Sequence, residues 1–360
     1  MNSRAPGGRA VVIAAALALA VGAAAPANAA GATGTVSDPL VSGLIGPLGL
    51  DVTANGTIYV AEGFAGRITR VLAGGARTVL YEAPGDSVAG VTSTGQLGRV
   101  VITLSTFPEQ NQPPTDTTIA LVRPNGSAST LASLLDHEVS ANPDGGQEYG
   151  FTDLPAGCLA KLPPELQPYS GAIDSNPYKI AALTPYTFAV ADAAGNSVNE
   201  VVNGTVTTVA VLPPIPQRIQ LNNYRKLRLP ACTVGHDYLS EPVPTDVEVG
   251  PDGYWYVSAL PGGPELPGYG SVYRVNPDTG GVSLLTRGLS GAVDLAVAED
   301  GTIYVAELNA NKITAFADGA LSTVAEVFSP GAVEIAPDGT IYATVGVFDP
   351  RGGDVVTITP

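Results

Sequence analysis

Cations, sulfur and helical patterning are all scarce in this 360-residue chain, which has 17 lysines and arginines, two cysteines, one methionine, one tryptophan and two histidines. The few basic residues form no stripe of the kind that neutralises a phosphate backbone, which excludes nucleic acid as a partner. There is no Cys-x-x-Cys pair, so neither a dithiol redox centre nor a cysteine-rich metal site is expected. A Gly-x-Ser-x-Gly elbow, a His-Glu-x-x-His helix and a Ser-His-Asp set are also missing. Charged residues make up 14% of the chain and hydrophobic ones 45%, which excludes a disordered or coiled-coil protein. What is abundant is the turn-forming pair: 43 glycines and 31 prolines, with no three-residue period. That composition predicts many short strands joined by tight turns. The 33 acidic residues leave a net charge of −16, which favours solubility and names no ligand.

Arg4 and Arg9 precede an apolar, alanine-rich run over 10–25, and Ala27-Asn28-Ala29 follows. This is the layout of a secretory signal peptide over 1–30, with cleavage expected after Ala29 or Ala30. The run is too short to span a bilayer, and no second apolar stretch is long enough, so stable membrane insertion is not expected. The mature chain, 31–360, reads as one secreted domain and as a monomer.

One phrase recurs. Asn55-Gly56-Thr57-Ile58-Tyr59-Val60-Ala61-Glu62 matches Asp300-Gly301-Thr302-Ile303-Tyr304-Val305-Ala306-Glu307, and further copies begin at Asp252 and Asp338. Weaker copies at 179–192 and 90–104 bring the number of units to six. Each unit runs as strand, Asp-Gly or Asn-Gly turn, Tyr-Val strand, third strand and fourth strand, which makes a four-stranded meander. Such a sheet cannot bury both faces alone, so the expected fold is all-β, a six-bladed β-propeller. The last unit has room for only three strands, and 34–44 is expected to supply the fourth and close the ring.

Strands alternate in direction, so the turns after first and third strands share one end of the ring, and all of them are short. The long excursions fall on the other end: 105–117, 259–270 and 346–353 after second strands, and the insertions at about 140–172 and 213–243 between blades. Loops held on a rigid scaffold carry recognition, so that end is the candidate functional surface for an unidentified small molecule or protein partner. Cys158 and Cys232 lie one in each insertion, and in an oxidising compartment they are expected to form a disulfide.

Glu138-Val139-Ser140-Ala141-Asn142-Pro143-Asp144 and Asp174-Ser175-Asn176-Pro177-Tyr178 resemble the paired signatures of the ScyD/ScyE family of secreted bacterial propellers. Asp192-Ala193-Ala194-Gly195-Asn196 and the stretch from Pro242 to Gly253 continue the resemblance. It implies a propeller related in architecture to the NHL-type and lactonase-type six-bladed rings, but no established reaction. The departure is at Tyr256-Val257-Ser258-Ala259-Leu260, where the family carries an acid, and at 147–171, which is longer than the family's usual link and reads as a lid.

Second strands end on the loop-bearing side, which places Glu62, Asp192 and Glu307 there; Asn176, Asp246 and Asp294 lie near the starts of first strands on the same side. These six are the candidate binding residues at the channel mouth. Their oxygens could hold a hard cation, calcium by analogy with lactonase-type propellers, although Asp192 and Asn196 also fit a simple turn. The motif residues Glu138, Asn142, Asp144, Asp174, Asn176, Tyr178 and Asn196 form a second candidate set. No catalytic residue is assigned. The functional expectation is a secreted propeller that binds a ligand or partner on its insertion-rich face. The alternative is a calcium-dependent hydrolase of the lactonase or esterase type.

Overall fold

The structure, a computed structural model, describes residues 34–360 apart from 97, 110 and 111. The expected signal peptide over 1–30 lies outside the described residues. The turn chemistry builds the fold. Asn203 and Asp318 adopt φ of 50° and 51°, and the glycines that follow them 86° and 77°, the geometry that reverses a chain in two residues with the twist of its strands. In the longer turns, Asn55, Asp252, Asp300 and Asp338 each accept the backbone N–H two residues further on. This side-chain closure is why those residue types recur at the turn.

Six antiparallel sheets follow in chain order. Blade 1 comprises Pro47–Val52, Ile58–Glu62, Arg67–Val71 and Arg77–Glu82. Blade 2 has an inner edge split into Asp86–Ser87 and Val91–Ser93, followed by Val100–Thr106, Asp116–Val122 and Ala128–Ser133. Blade 3 comprises Pro177–Thr184, Thr187–Asp192, Ser197–Val202 and Thr205–Val211. Blade 4 comprises Pro244–Val249, Trp255–Ala259, Gly270–Val275 and Val282–Leu289, and blade 5 Ala292–Val297, Ile303–Glu307, Lys312–Ala317 and Ala320–Glu326. Blade 6 has three strands from the end of the chain, Ala332–Ile335, Ile341–Val345 and Gly353–Thr359. Its outer edge is completed by Thr35–Val36 and Val41–Leu44, both paired with Gly353–Thr359. The ring is thus closed by the segment that precedes blade 1, as the sequence predicts.

Neighbouring blades share apolar layers. Tyr59, Ile68, Val100 and Ile102 pack between blades 1 and 2, Val198, Val247, Trp255 and Tyr273 between blades 3 and 4, and Leu44, Val60 and Val355 between blades 6 and 1. Burial on both faces explains why second strands such as Ile58–Glu62 are buried at every position, while outer strands are partly exposed.

The connections after first and third strands are short, and the long ones all leave from the opposite end. The two insertions, 134–176 and 212–243, pack on each other as one cap. Gly150 and Leu239 form a β-bridge, Phe151, Leu154, Leu162, Ile219, Leu229 and Tyr238 make a small apolar nucleus, and Cys158 is disulfide-bonded to Cys232. Gln217, fully buried, ties this cap to the 260–269 loop of blade 4 by donating to Gly262 O and accepting from Leu266 N–H. The first insertion opens with a helix the repeat pattern does not reveal, Leu134–Ala141. Ser133 caps it by accepting the Asp136 N–H, and Asn142, at φ 38°, ends it.

Candidate functional site

At the loop-bearing end of the second strands, Glu62, Asp192 and Glu307 occupy one register, opposite Pro47, Pro177 and Ala292. They do the same work. Glu62 accepts the Ile45 N–H at 2.6 Å, Asp192 the Asn176 N–H at 2.6 Å and Glu307 the Ser290 N–H at 2.7 Å, so each acid secures the chain as it enters its own blade. In blades 1 and 5 the same carboxylate also accepts a threonine hydroxyl, from Thr69 or Thr314, and faces a cation. Arg67 grips Glu62 with bonds of 2.9 and 2.8 Å, and Lys312 lies 3.2 Å from Glu307. Burial works to raise the Glu62 carboxyl, but the bonds from Arg67, Ile45 and Thr69 hold it below its ordinary value. Blade 4 carries Ala259 at this register, opposite Pro244, so the absence noted in the sequence removes one such clasp.

Asp246 and Asp294 are also occupied. Asp246 accepts the Leu295 N–H of blade 5 at 2.9 Å, and Asp294 the Val333 N–H of blade 6 at 3.2 Å, each tying its inner strand to the next. Asp51 does the same for Ser93 of blade 2 at 2.8 Å. Asp294 is also ion-paired with Lys179 of blade 3, so the pair links two blades that are not neighbours. Around this pair, burial and then the neighbouring carboxylates push Glu248 and Glu334 well above the ordinary range. Burial raises Asp51 to about 6, and lowers Lys179 to about 8 against the pull of Asp246, Glu248 and Glu334. The channel is therefore acidic inside. Its loop-bearing rim is apolar: Leu48, Ala89, Ala193, Val243, Val293 and Val347, contributed by all six blades, belong to one buried cluster, against which Tyr178 packs.

The six candidate mouth residues thus sit at the expected end, yet Glu62, Asp246, Asp294 and Glu307 have their oxygens engaged by backbone amides, hydroxyls and cations. They do not fit a lactonase-like cation at the channel mouth. Asn176 is likewise engaged, its Oδ1 accepting from Ser105 at 2.9 Å.

The second candidate set behaves differently. Glu138 from the helix, Asn142 and Asp144 after it, Asp174 before blade 3, Asp192 at the end of its second strand and Asn196 in the turn that follows are brought together under the cap. Glu138, Asp144, Asp192 and Asn196 are each 1% exposed. A side-chain carbon on Gly195 would stand 2.4 Å from Glu138 Oε1 and 3.2 Å from Asp192 Cγ, so the two carboxylates approach each other over a glycine. Asp144 Oδ2 accepts from Asn196 Nδ2 at 2.8 Å and from the Tyr149 hydroxyl at 3.0 Å. Asp192 accepts from Ser175, Asn176 and Gly195. Both Glu138 oxygens, by contrast, and one oxygen each of Asn142, Asp144 and Asn196, are buried without a donor. Burial, and then Asp192, Asp144 and Asp174, push Glu138 up to about 9; burial and nearby acids raise Asp174 to about 6 and Glu241 to about 7. Among the described residues none of these carboxylates is ion-paired.

Neither histidine serves a nucleophile. His137 Nε2 lies 2.6 Å from Thr208 Oγ1, which itself donates to Asn199, so the imidazole pins the helix to the outer strand of blade 3. His236 Nδ1 lies 3.1 Å from Asp153 Oδ2 on the surface of the cap. Arg218, Arg225, Lys226 and Arg228 are exposed on the second insertion. Sequence reasoning missed a group of aromatics on the other side of the rim: Phe64 stacks on Phe348 with centroids 5.8 Å apart, and Phe64, Phe328 and Ile45 are each about half exposed. These residues sit in turns outside the repeated phrase, where no periodicity marks them. The short-turn end has a cleft between blades 2 and 3, lined by Gln96, Arg99, Tyr186 and Asn203 and by no carboxylate.

No family model matches the chain, and no curated protein matches it. Solved structures do. An aldose sugar dehydrogenase of Streptomyces coelicolor, in its PQQ-bound form, is 14% identical with a TM-score of 0.55, covering 91% of this chain and 98% of that one. A gluconolactonase of Xanthomonas campestris is 13% identical with a TM-score of 0.54, covering 89% and 88%. Virginiamycin B lyase of Staphylococcus aureus is 14% identical with a TM-score of 0.52, covering 91% and 99%. At this level of identity the likenesses establish the propeller fold alone.

Proposed function

We infer that this is a secreted, ligand-binding propeller of the ScyD/ScyE type that works at its loop-bearing end. The observation that carries the reading is the preassembled cap. Two insertions, a disulfide, a β-bridge and the 260–269 loop hold one side of the rim rigid, while Phe64, Phe328 and Phe348 offer an apolar face on the other side. A rigid cap opposite exposed aromatics suits a ligand with substantial apolar surface. The expected test is a thermal-shift screen of lactones, sugars and short peptides. A true ligand raises the Tm of the wild type and loses that effect in Phe64→Ser/Phe328→Ser. Ligands that stabilise both proteins equally would place binding elsewhere. The fold shared with the gluconolactonase favours a second reading, a hydrolase of cyclic esters acting at the same end; turnover of a lactone panel by the purified protein is its test.

A further inference from the structure

We propose that the cluster under the cap of blade 3 is a divalent-cation site of the calcium class, with Glu138, Asn142, Asp144 and Asn196 as oxygen donors; this stands independently of the ligand-binding reading. Five buried oxygens of these four side chains have no hydrogen-bond donor, whereas buried acceptors are nearly always satisfied. Their other polar atoms are anchored: Asn196 Nδ2 and the Tyr149 hydroxyl hold Asp144 Oδ2, and Asn142 Nδ2 reaches Gly171 O at 3.5 Å. The free oxygens of Asn142, Asp144 and Asn196 are therefore held in place, and Glu138, both of whose oxygens are free, is confined by its burial.

The repeat supplies a second argument. Arg67 is the register partner of Glu62, and Lys312 of Glu307; the register partner of Asp192 is Ser197. Blade 3 has thus exchanged its cation for a hydroxyl while gaining Glu138, Asp144 and Asp174 as neighbours of Asp192. Positive charge is missing where two sister blades provide it. The helix Leu134–Ala141 also ends on this cluster, with no basic residue in its last turn, so its carbonyl end adds further negative potential.

The donor chemistry selects the ion. No nitrogen or sulfur ligand is present, and neutral amides accompany carboxylates, as suits a hard cation with a large, flexible shell. Among the described residues no three His, Cys, Asp or Glu side chains already form a metal cluster; here two carboxylates share the work with two amides.

The test is calorimetric titration of EDTA-treated full-length protein with calcium chloride, alongside melts in EDTA and in about 2 mM calcium, where extracellular calcium modules bind. The wild type is expected to take up one calcium per chain and to melt several degrees higher with it. Glu138→Gln, which keeps the shape of the side chain, is expected to weaken binding by about tenfold or more. Asn142→Gly, whose φ of 38° glycine adopts freely, gives the same direction of change should the glutamine variant not fold. Absence of calcium uptake by the wild type overturns the assignment. So does unchanged affinity in both variants, or a loss seen in Glu62→Gln but not in Glu138→Gln, which would move the ion to the mouth.

Discussion

Blades 1 and 5 answer the burial of a carboxylate in one way and blade 3 in another. Glu62 and Glu307 are each met by a backbone N–H, a threonine hydroxyl and a basic side chain. Asp192, at the same register, is met by hydroxyl and amide donors alone and stands among further acids. The first arrangement balances its charge within one hairpin and needs nothing from outside. The second recruits side chains from the first insertion, and so couples blade 3 to the cap. Blade 3 thus keeps the backbone and the acid of blades 1 and 5 while changing the charges that surround it.

The largest effect should come from cutting the covalent tie that keeps the cap on blade 3. Cys158 and Cys232 are 74 residues apart, and closing a loop of that length stabilises the fold by up to about 4 kcal/mol in the chain-entropy account. Cys158→Ser/Cys232→Ser is therefore expected to lower the Tm substantially, and to loosen the acidic cluster more than the Arg67–Glu62 clasp, measured by hydrogen exchange at Asn196 and at Ile45. Equal protection losses at both sites would erase the contrast between the blades. Next in size is the clasp itself. Arg67→Met leaves Glu62, with a side chain that is 0% exposed, buried without its strongest partner, and a loss of about 3 kcal/mol in urea denaturation is expected. Lys312→Met at blade 5 should cost less, because Lys312 makes one longer contact where Arg67 makes two.

Much of this was legible in the sequence, and the reason is periodicity. The phrase around Asn55 and Asp300 fixes hairpins, the hairpins fix strand direction, and direction alone sends every long loop to one end. The same logic found the closing strand over 34–44 and placed the two cysteines close enough to bond. The clasp was legible too, had the phrase been read further: Glu62 is followed by Arg67-Ile68-Thr69 and Glu307 by Lys312-Ile313-Thr314, whereas Asp192 is followed by Ser197-Val198-Asn199. What periodicity could not show is which oxygens stay free. The cluster draws Glu138, Asp144 and Asp174 from the first insertion and Asn196 from the turn after the second strand of blade 3, stretches that no repeat relates, and its eight-residue helix is hidden in that insertion. Its start signal, Ser133 with Asp136 three residues on, is weak without a repeating apolar face.

The channel offers a third answer to the same problem and a smaller prediction. Asp51 carries one buried oxygen with no donor and accepts the Ser93 N–H with the other, so burial raises its affinity for a proton. Its folded pKa of about 6 lies above its ordinary 3.8, so the folded state binds the proton more tightly than the unfolded one. Stability from this group is therefore present at low pH and lost as the pH rises from about 4 through 6. Asp51→Asn keeps an acceptor for the Ser93 N–H and removes the charge. It is expected to match the wild type near pH 4 and to exceed it near pH 8 by on the order of 2 kcal/mol. A gain of the same size at both pH values would show that the charge is not what the channel resists.

The smallest effect is also the most direct test of the comparison, because it turns blade 3 into its sisters. Ser197 is buried, receives a bond from Asn199 Nδ2, and faces Asp192 across the register that Lys312 shares with Glu307. A lysine there would carry its ammonium to the acids of the cluster, as Lys312 does in blade 5. Fitting the longer chain offsets part of the benefit, so Ser197→Lys is expected to stabilise the EDTA-treated protein by only about 1 kcal/mol. Its sharper signature is a melting temperature that no longer responds to calcium, since a fixed positive charge then occupies the place of a free one. If the lysine variant kept the full calcium response of the wild type, the vacancy at Ser197 and the free oxygens of Glu138 would be unrelated features of the blade, and the argument from register would fall.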